Sequence, residues 1–391
     1  MNIVLDGRPL QQGFREHRKR GIGRYAEALI PRLPRLDPDL KIGLLLNTRN
    51  ALPDSGIVHG PAKMIFHPVP WFLCLNEEVL DTWLYLPHTL KKSGARLFHF
   101  LTHMDAAPVP AGSRSIVTVH DMIPAVLRHR YASGWNPLYR AYLLLMERAA
   151  RKADLVITIS ESSKRDIIRY AGIPESRIRV IPLGVDRDFR PVRDAEKRKA
   201  AAWRYHLPRR FFFYTGGIEA RKNVPGLIAA FQNTLAGGRS DCHLVIGGNV
   251  EDEKGYAALL KLIRAARLED RVHFTGFIAN VDLPAVYSLA EAFVYPSLYE
   301  GFGFPPLEAM ACGTPVICSD RSAIPEIVGE AGLLADPGNP ERMGRLMAKV
   351  AGHPDLRSRL IRLGLKRARL FDWDRTARMT LDVYRELGGN G

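Results

Sequence analysis

The chain has 391 residues, 46% of them apolar and 25% charged, a balance that excludes a disordered polymer and, at this length, a single core; two domains are expected. Its formal charge is +15, with 26 Lys and Arg against 16 Asp and Glu in residues 1–185 and 30 against 25 in the remainder, so an anionic partner is expected mainly on the first half. No apolar run approaches the roughly 18 to 20 residues needed to span a bilayer.

The opening residues MNIVLDGRP place Asp6 and Arg8 directly after a short apolar run. That pattern reads as a first strand rather than a signal peptide, and it predicts an intracellular, cytoplasmic protein. From there short apolar strands alternate with helical patterns: NIVLD, YAEALIPRL, KIGLLLN, RLFHF, SIVTVHD, LYRAYLLLMERAARKA, LVITIS, SKRDIIRYAG and RVIPLGV. Such alternation predicts an open, mostly parallel sheet covered by helices, with its ligand at the carboxyl ends of the strands. Ahead of the first long helix, Gly21 and Gly23 permit close approach of a phosphate or sugar, and Arg24 follows at the helix N-terminus; a plain loop and cap accounts for the same residues. The basic run Arg15, His17, Arg18, Lys19, Arg20 reads as a solvated loop or as a contact to an anionic acceptor. Trp71, Phe72, Trp83 and Tyr85 are core residues, or they enter a lipid interface or an acceptor groove. His103 follows a strand and is placed on the acceptor side. SIVTVHD ends on His120 and Asp121, at a strand end where such sheets place chemistry; on the structural alternative Asp121 caps the next segment and His120 packs.

Pro182, Gly184 and Pro191 gather ahead of KRKAAAW, and a linker is expected at residues 188–206 between domains 1–187 and 207–371. Asp186-Arg187-Asp188 spells a D-x-D, read here as a turn; no metal set and no cofactor are predicted. The alternation then restarts with FFFYTGG, the helix VPGLIAAFQNTL, HLVIGG, RVHFTGF and AFVYPS. Arg221 and Lys222 precede a helix, two cations beside unpaired amides, an arrangement suited to a diphosphate. Residues 296–320, PSLYEGFGFPPLEAMACGTPVICSD, read as a turn, a helix opened by Pro305-Pro306 and stopped at Gly313, and a strand. Glu300 stands in the turn and Glu308 eight residues later in the first helical turn. Between them the Gly301–Phe304 turn and the amides near Leu307 form an anion site with a carboxylate on each side. A nucleotide diphospho-sugar has that layout: hydroxyl-rich sugar, pyrophosphate, ribose diol. On the bland alternative Glu308 only complements the helix dipole and Glu300 is solvated. Cys74, Cys242, Cys312 and Cys318 have no disulfide or metal spacing and read as buried thiols.

The 296–320 segment resembles the E-x7-E signature of retaining GT-B glycosyltransferases of family 4 (group 1), with Glu300 and Glu308 as its two acids. The resemblance implies an α/β fold of two doubly wound Rossmann-like domains facing each other across a cleft, with a terminal helix, residues 372–391, crossing back onto the first domain. It implies that Glu300 faces the transferred sugar, that Glu308 binds the ribose hydroxyls beside Gly303, Phe304 and Leu307, and that His120 contacts the sugar near the scissile bond. Lys222 matches the family's phosphate-binding lysine, whereas Gly217 stands where the family has an arginine that Arg221 replaces. Phe277, in TGFI, falls beside the nucleobase; Gly23 matches a glycine facing the donor phosphates, with Gly21, Arg24, His103 and Asp121 on the acceptor side. The catalytic set is therefore Glu300, His120, Lys222 and Arg221.

DGRPLQ followed by GIGRY most resembles mannosyltransferases that build bacterial surface polysaccharides, such as lipopolysaccharide O-antigen, on lipid-diphosphate carriers. That implies GDP-mannose as donor, a polyprenyl-diphosphate-linked or glycan acceptor, and metal-independent transfer with retention. The basic first domain is expected to meet an anionic membrane surface, making the protein peripheral on the inner face of the plasma membrane. Nucleic acid is not expected, since no helix-turn-helix, RNA-recognition or zinc-finger pattern occurs. The alternatives are a UDP-sugar-dependent transferase, a nucleotide-sugar epimerase of the same shape, a phosphorylase with lysine-bound pyridoxal phosphate, and a non-catalytic membrane or polyanion binder.

Overall fold

The computed structural model describes residues 2–14, 21–52, 63–69, 81–127, 137–238, 241–251 and 255–388. The chain divides into two compact units, Met1–Gly184 with Trp373–Gly391, and Val185–Asp372.

In the first unit seven strands lie in the order β3-β2-β1-β4-β5-β6-β7: β1 (Asn2–Asp6), β2 (Lys41–Asn47), β3 (Lys63–His67), β4 (Leu97–Phe100), β5 (Arg114–Val119), β6 (Leu155–Thr158) and β7 (Ile178–Val180). Every pairing is parallel. Helices cover both faces of such a sheet, so its strands are continuous apolar runs rather than alternating ones; β4 and β6 are buried at every position. The edge strand β3, partly exposed with KMIFH, escaped sequence reading because its alternation is weak. The pattern YAEALIPRL is two helices, Gly21–Leu29 and Arg32–Leu36, because Pro31 has no amide with which to continue the first. Gly21 and Gly23 therefore lie inside the first helical turn, not in a loop ahead of it.

Tyr85 is 39% exposed and Trp83 is half-buried, so neither is a core residue; Trp71, Phe72 and the 15–20 basic run lie outside the described residues. The C-terminal helix Trp373–Gly388 belongs to this unit. Trp373 and Tyr384 are buried, the Thr376 hydroxyl donates to the Pro182 carbonyl at 2.7 Å, and Arg32 and Arg35 both reach Asp374.

The second unit holds six parallel strands in the order β10-β9-β8-β11-β12-β13: β8 (Phe211–Thr215), β9 (His243–Gly247), β10 (Val272–Phe274), β11 (Ala292–Tyr295), β12 (Val316–Ser319) and β13 (Leu333–Ala335). Its core is a run of edge-on and stacked rings, among them Phe213, Tyr287, Phe293 and Tyr295. The stretch 188–206, expected as a linker, is counted in this unit. It contains helix Ala195–Arg204, capped by Asp194, whose carboxylate accepts from the Glu196 and Lys197 amides. The tie to the unit is polar: Arg204 pairs with Asp282, and the Tyr205 hydroxyl donates to the same carboxylate at 2.9 Å.

Candidate functional site

Each sheet reverses its strand order once, at β1/β4 in the first unit and β8/β11 in the second. The segments leaving the carboxyl ends of two such strands diverge to opposite sides and leave a crevice, the usual ligand position in open parallel sheets. In the second unit those segments are Gly216–Lys222 after β8 and Pro296–Glu300 after β11, which carry four of the residues singled out from sequence, Gly217, Arg221, Lys222 and Glu300.

They meet. The Glu300 Oε1 atom accepts from Lys222 Nζ at 2.8 Å, Arg221 Nη1 at 2.9 Å, Ser297 Oγ at 2.7 Å and the Tyr295 hydroxyl at 3.0 Å. Lys222 Nζ also donates to the Tyr295 hydroxyl at 2.6 Å and lies 5.1 Å from that ring's centroid. Arg221 reaches back to Glu219 at 3.0 Å. Two backbone bonds fix the segments: Leu298 N donates to the Arg221 carbonyl at 2.7 Å, and Glu300 N to Ser322 Oγ at 2.9 Å. Burial would push the Glu300 carboxyl up, but Lys222 and then Arg221 overcome it and hold the pKa below the usual carboxylate value. Burial pushes the Tyr295 phenol well above its ordinary range, so it stays a neutral donor. The cations thus stand 2.8 and 2.9 Å from the acid, ahead of helix Val224–Ala236, whose N-cap Asn223 takes a left-handed φ of 55°.

The helix after the E-x7-E turn spans Phe304–Ala311, starting one residue before Pro305, where it was expected to open. Leu307 N accordingly donates to the Gly303 carbonyl at 3.3 Å, and Pro305 and Pro306 carry no amide. Leu307 therefore offers an anion no amide, contrary to expectation; at this helix end the amides are those of Gly303 and Phe304. Gly303 has φ +124°, a conformation that a side chain would strain. Glu308 is the fifth helical residue, so it sits in the second turn and not the first, where the dipole would explain it. It is buried all the same, with its Oε2 accepting from the Tyr287 hydroxyl at 3.1 Å. The dipole reading of Glu308 fails on that ground, and the solvated-loop reading of Glu300 fails on its four donors.

Gly217 offers its carbonyl to the Tyr214 hydroxyl at 2.6 Å; its neighbour Gly216, at φ +136°, is the position that requires glycine. Phe277 leaves β10 with 71% of its surface exposed. Asp186–Asp188 forms a turn closed by Phe189 N on the Asp186 carbonyl, and among the described residues no three His, Cys, Asp or Glu side chains converge on a cation position.

In the first unit the carboxyl edge is equally polar. His120 follows β5; its Nε2 lies 2.9 Å from the Leu101 carbonyl, which can only accept, so Nε2 carries a proton. Tyr25 meets the ring edge-on at 5.2 Å. Asp121 accepts from Ile123 N at 3.0 Å, the cap that the structural alternative foresaw. Arg24, half-buried, is the fourth residue of helix Gly21–Leu29. His103 opens the turn His103–Asp105 after β4, capped by Thr102; burial pushes its pKa down to about 4, and its buried Nδ1 has no partner among the described residues.

Sequence reasoning missed Asp6 and Arg8 as site residues. Both are 1% exposed, joined by two bonds of 2.8 Å, and Arg8 Nη2 donates to the Asp105 carbonyl at 2.7 Å. Gln11, fully buried, exchanges bonds with Asn47 N and O at 2.6 and 2.8 Å. DGRPLQ thus staples the β1 loop to its neighbours on both sides. A charged pair at the carboxyl end of the first strand was the available clue.

The family model described as Glycosyl transferases group 1 matches residues 197–367, and Glycosyltransferase Family 4 matches residues 19–189. The chain is 34% identical over 242 residues to O-antigen chain mannosyltransferase B of Escherichia coli, covering 60% of this chain and 61% of that one. It is 31% identical over 276 residues to the serotype-specific mannosyltransferase WbdA of Escherichia coli, covering 70% of this chain and 34% of that one. The chain thus spans less than two thirds of the length of these curated relatives. Among solved structures, sucrose-phosphate synthase from Thermosynechococcus elongatus superposes with a TM-score of 0.74 at 22% identity over the whole of both chains, a likeness of fold.

Proposed function

Because the chain belongs to the glycosyltransferases of group 1, family 4, with two Rossmann-like units of the GT-B type, we propose that it moves a hexose from a nucleotide diphosphate to a glycan or polyprenyl-diphosphate-linked acceptor. The observation that carries this is the Glu300 carboxylate held by Arg221 and Lys222 at the strand-order reversal of the second sheet. Mannose from GDP-mannose is the proposed donor, supported by the two mannosyltransferase relatives. The O-antigen name of the first relative supports surface glycan synthesis as the setting, and the cytoplasmic side is proposed with it.

In this proposal the bond from the anomeric carbon to the diphosphate oxygen breaks as the bond from that carbon to the acceptor oxygen forms. Lys222 and Arg221 stabilise the negative charge that grows on the leaving diphosphate, in a buried place where such charges act strongly. All four donors to Glu300 fall on Oε1, so Oε2 is the atom left to orient a sugar hydroxyl. Glu308 takes the ribose hydroxyls and Phe277 the base. The proposal assigns no second acid as nucleophile. The acceptor attacks from the face that the diphosphate leaves, its proton passes to the departing phosphate oxygen, and configuration is retained. No metal takes part in these steps.

A donor screen tests the reading: GDP-, UDP- and ADP-sugars are incubated with the chain, with and without a polyprenyl-diphosphate oligosaccharide, and followed by mass spectrometry. Loss of GDP-mannose with a mannosylated acceptor is expected. Consumption of UDP-sugars alone removes the donor assignment; turnover untouched in Glu300→Gln removes the site.

A further inference from the structure

Among the described residues four that are not glycine hold a left-handed backbone: His206 at φ 49°, Asn223 at 55°, Arg267 at 54° and Ser322 at 56°. His206 follows helix Ala195–Arg204 and its C-cap Tyr205, and Arg267 follows helix Tyr256–Ala265 and its C-cap Ala266. A left-handed residue at that place is a common way for a helix to end, so both have a local cause. Asn223 opens helix Val224–Ala236 and Ser322 lies in the loop after β12; neither ends an α-helix. An L residue stays in such a conformation only where its surroundings over-determine it, and such positions gather at functional sites. These two both belong to the surroundings of the Lys222–Glu300 pair.

Ser322 holds the main chain of Glu300. Its Oγ accepts from Glu300 N at 2.9 Å and donates to the Arg321 carbonyl at 2.7 Å, which turns a lone pair toward Glu300. Next to it, Ala323 N donates to the Glu300 carbonyl at 3.4 Å. The loop itself is fixed by Arg321 N on Ser319 Oγ at 3.2 Å and by Asp320 N on the Ala335 carbonyl at 3.0 Å. With Oε1 already held by four donors, this grip on the main chain decides where Oε2 points. Asn223 serves Lys222, its neighbour in the chain. Its Nδ2 donates to the Pro337 carbonyl at 2.9 Å, after β13, and to the Pro296 carbonyl at 3.4 Å, after β11. One side chain thus joins the segments that leave β8, β11 and β13. A Cβ on Gly226 would stand 2.6 Å from that Nδ2, so the first helical turn admits the amide because glycine stands there. We propose that Ser322 and Asn223 are positioning residues of the transfer site, Ser322 acting through Glu300 on the sugar and Asn223 through Lys222 on the diphosphate. This rests on the reading that Glu300 and Lys222 serve the transfer.

The test compares Ser322→Gly and Asn223→Gly in the full chain, with Arg267→Gly as control. Glycine adopts the left-handed backbone freely, so the first two variants remove a polar side chain without opposing φ, and the control makes the same change at a helix end. Turnover is measured with the nucleotide sugar that the parent consumes, and affinity by calorimetric titration with GDP and with UDP. Ser322→Gly is expected to lower kcat about tenfold or more, because a small misplacement of a reacting group costs that much, while diphosphate affinity and melting temperature stay at the parent's values. Asn223→Gly is expected to lower kcat by a similar factor and also to weaken the diphosphate, by about threefold or more, since Lys222 loses its placement. Arg267→Gly should match the parent throughout. A kcat equal to the parent's in either test variant, while Glu300→Gln is inactive, overturns the inference and spares the reading of the site. So does a lower melting temperature with kcat per folded molecule unchanged, the mark of a purely structural role. Turnover retained in Glu300→Gln, or a parent that binds neither diphosphate and consumes no nucleotide sugar, overturns the reading and the inference together.

Discussion

Lys222 Nζ lies 2.8 Å from the Glu300 carboxylate, joining the segment after β8 to the segment after β11. Both side chains are close to nine-tenths buried, so the pair is shielded from screening; removing Glu300 leaves two cations unmatched, whereas removing Lys222 leaves Glu300 with Arg221 as its counter-charge. Lys222→Ala and Glu300→Gln therefore separate two costs. Lys222→Ala is expected to destabilise by about 2 kcal/mol, because Glu300 loses one of its two counter-charges, and to cut kcat by about 100- to 1000-fold. Glu300→Gln keeps shape and leaves two cations together; it should bind free nucleoside diphosphate at least as tightly as the parent while losing turnover. Calorimetric titration with GDP and a turnover assay check both arms, and weaker GDP binding by Glu300→Gln would contradict the arrangement.

Glu308 is buried in the second turn of its helix, against the Tyr287 hydroxyl. If it receives the ribose diol, Glu308→Gln should raise the donor KM about tenfold or more with a smaller change in kcat, since the contact exists equally in ground and transition states. Tyr287→Phe removes only the neutral donor and should cost about 1 kcal/mol in stability with a minor KM change. A kcat loss in Glu308→Gln equal to that of Glu300→Gln would refute this division of roles.

The fold was readable where apolar runs alternate with turns, and the E-x7-E segment where glycines, prolines and acids stand in fixed register. What could not be read is contact. Tyr295 and Ser297 look like the end of an ordinary buried strand, yet both donate to Glu300. Gly21 and Gly23 look like loop residues because glycine is a poor helix former, but the first turn of helix Gly21–Leu29 accommodates them. Asp6 and Arg8 were visible as charges and silent as a pair, because a bidentate bond across two residues depends on the bend of the β1 loop.

Gly344 tests the packing that supports the second sheet. A Cβ there would stand 2.5 Å from the Ala230 carbonyl oxygen and 2.8 Å from Asn233 Cβ, so helix Pro340–Gly352 can approach helix Val224–Ala236 only through glycine. Gly344→Ala improves helix propensity by about 1 kcal/mol, but forcing the helices apart costs about 1–3 kcal/mol. The clash is with backbone, which cannot rotate away, so the net effect should be destabilising. A melting temperature lower by several degrees is expected; a rise would mean that the helices separate at no cost.

Two histidines, His99 buried and His103 half-buried, predict how the first unit responds to acid. His99 is held between the Tyr384 hydroxyl at 2.7 Å and Thr118 Oγ1 at 2.8 Å; burial, helped by His120, lowers its pKa from 6.5 to about 3. Burial lowers that of His103 to about 4. Each refuses in the folded state a proton that the unfolded chain accepts near pH 6.5. The stability they contribute is therefore complete above that pH and is lost as the pH falls through the interval down to about 3 for His99 and about 4 for His103. Each group adds a slope of up to about 1.4 kcal/mol per pH unit in that window. His99→Gln can keep both hydrogen bonds without the proton, so it should flatten the dependence measured by urea unfolding at pH 7, 6, 5 and 4.5. Tyr384→Phe, which breaks one bond and leaves the histidine, should lower stability at every pH and preserve the slope. An unchanged slope in His99→Gln would mean that other groups govern the acid response.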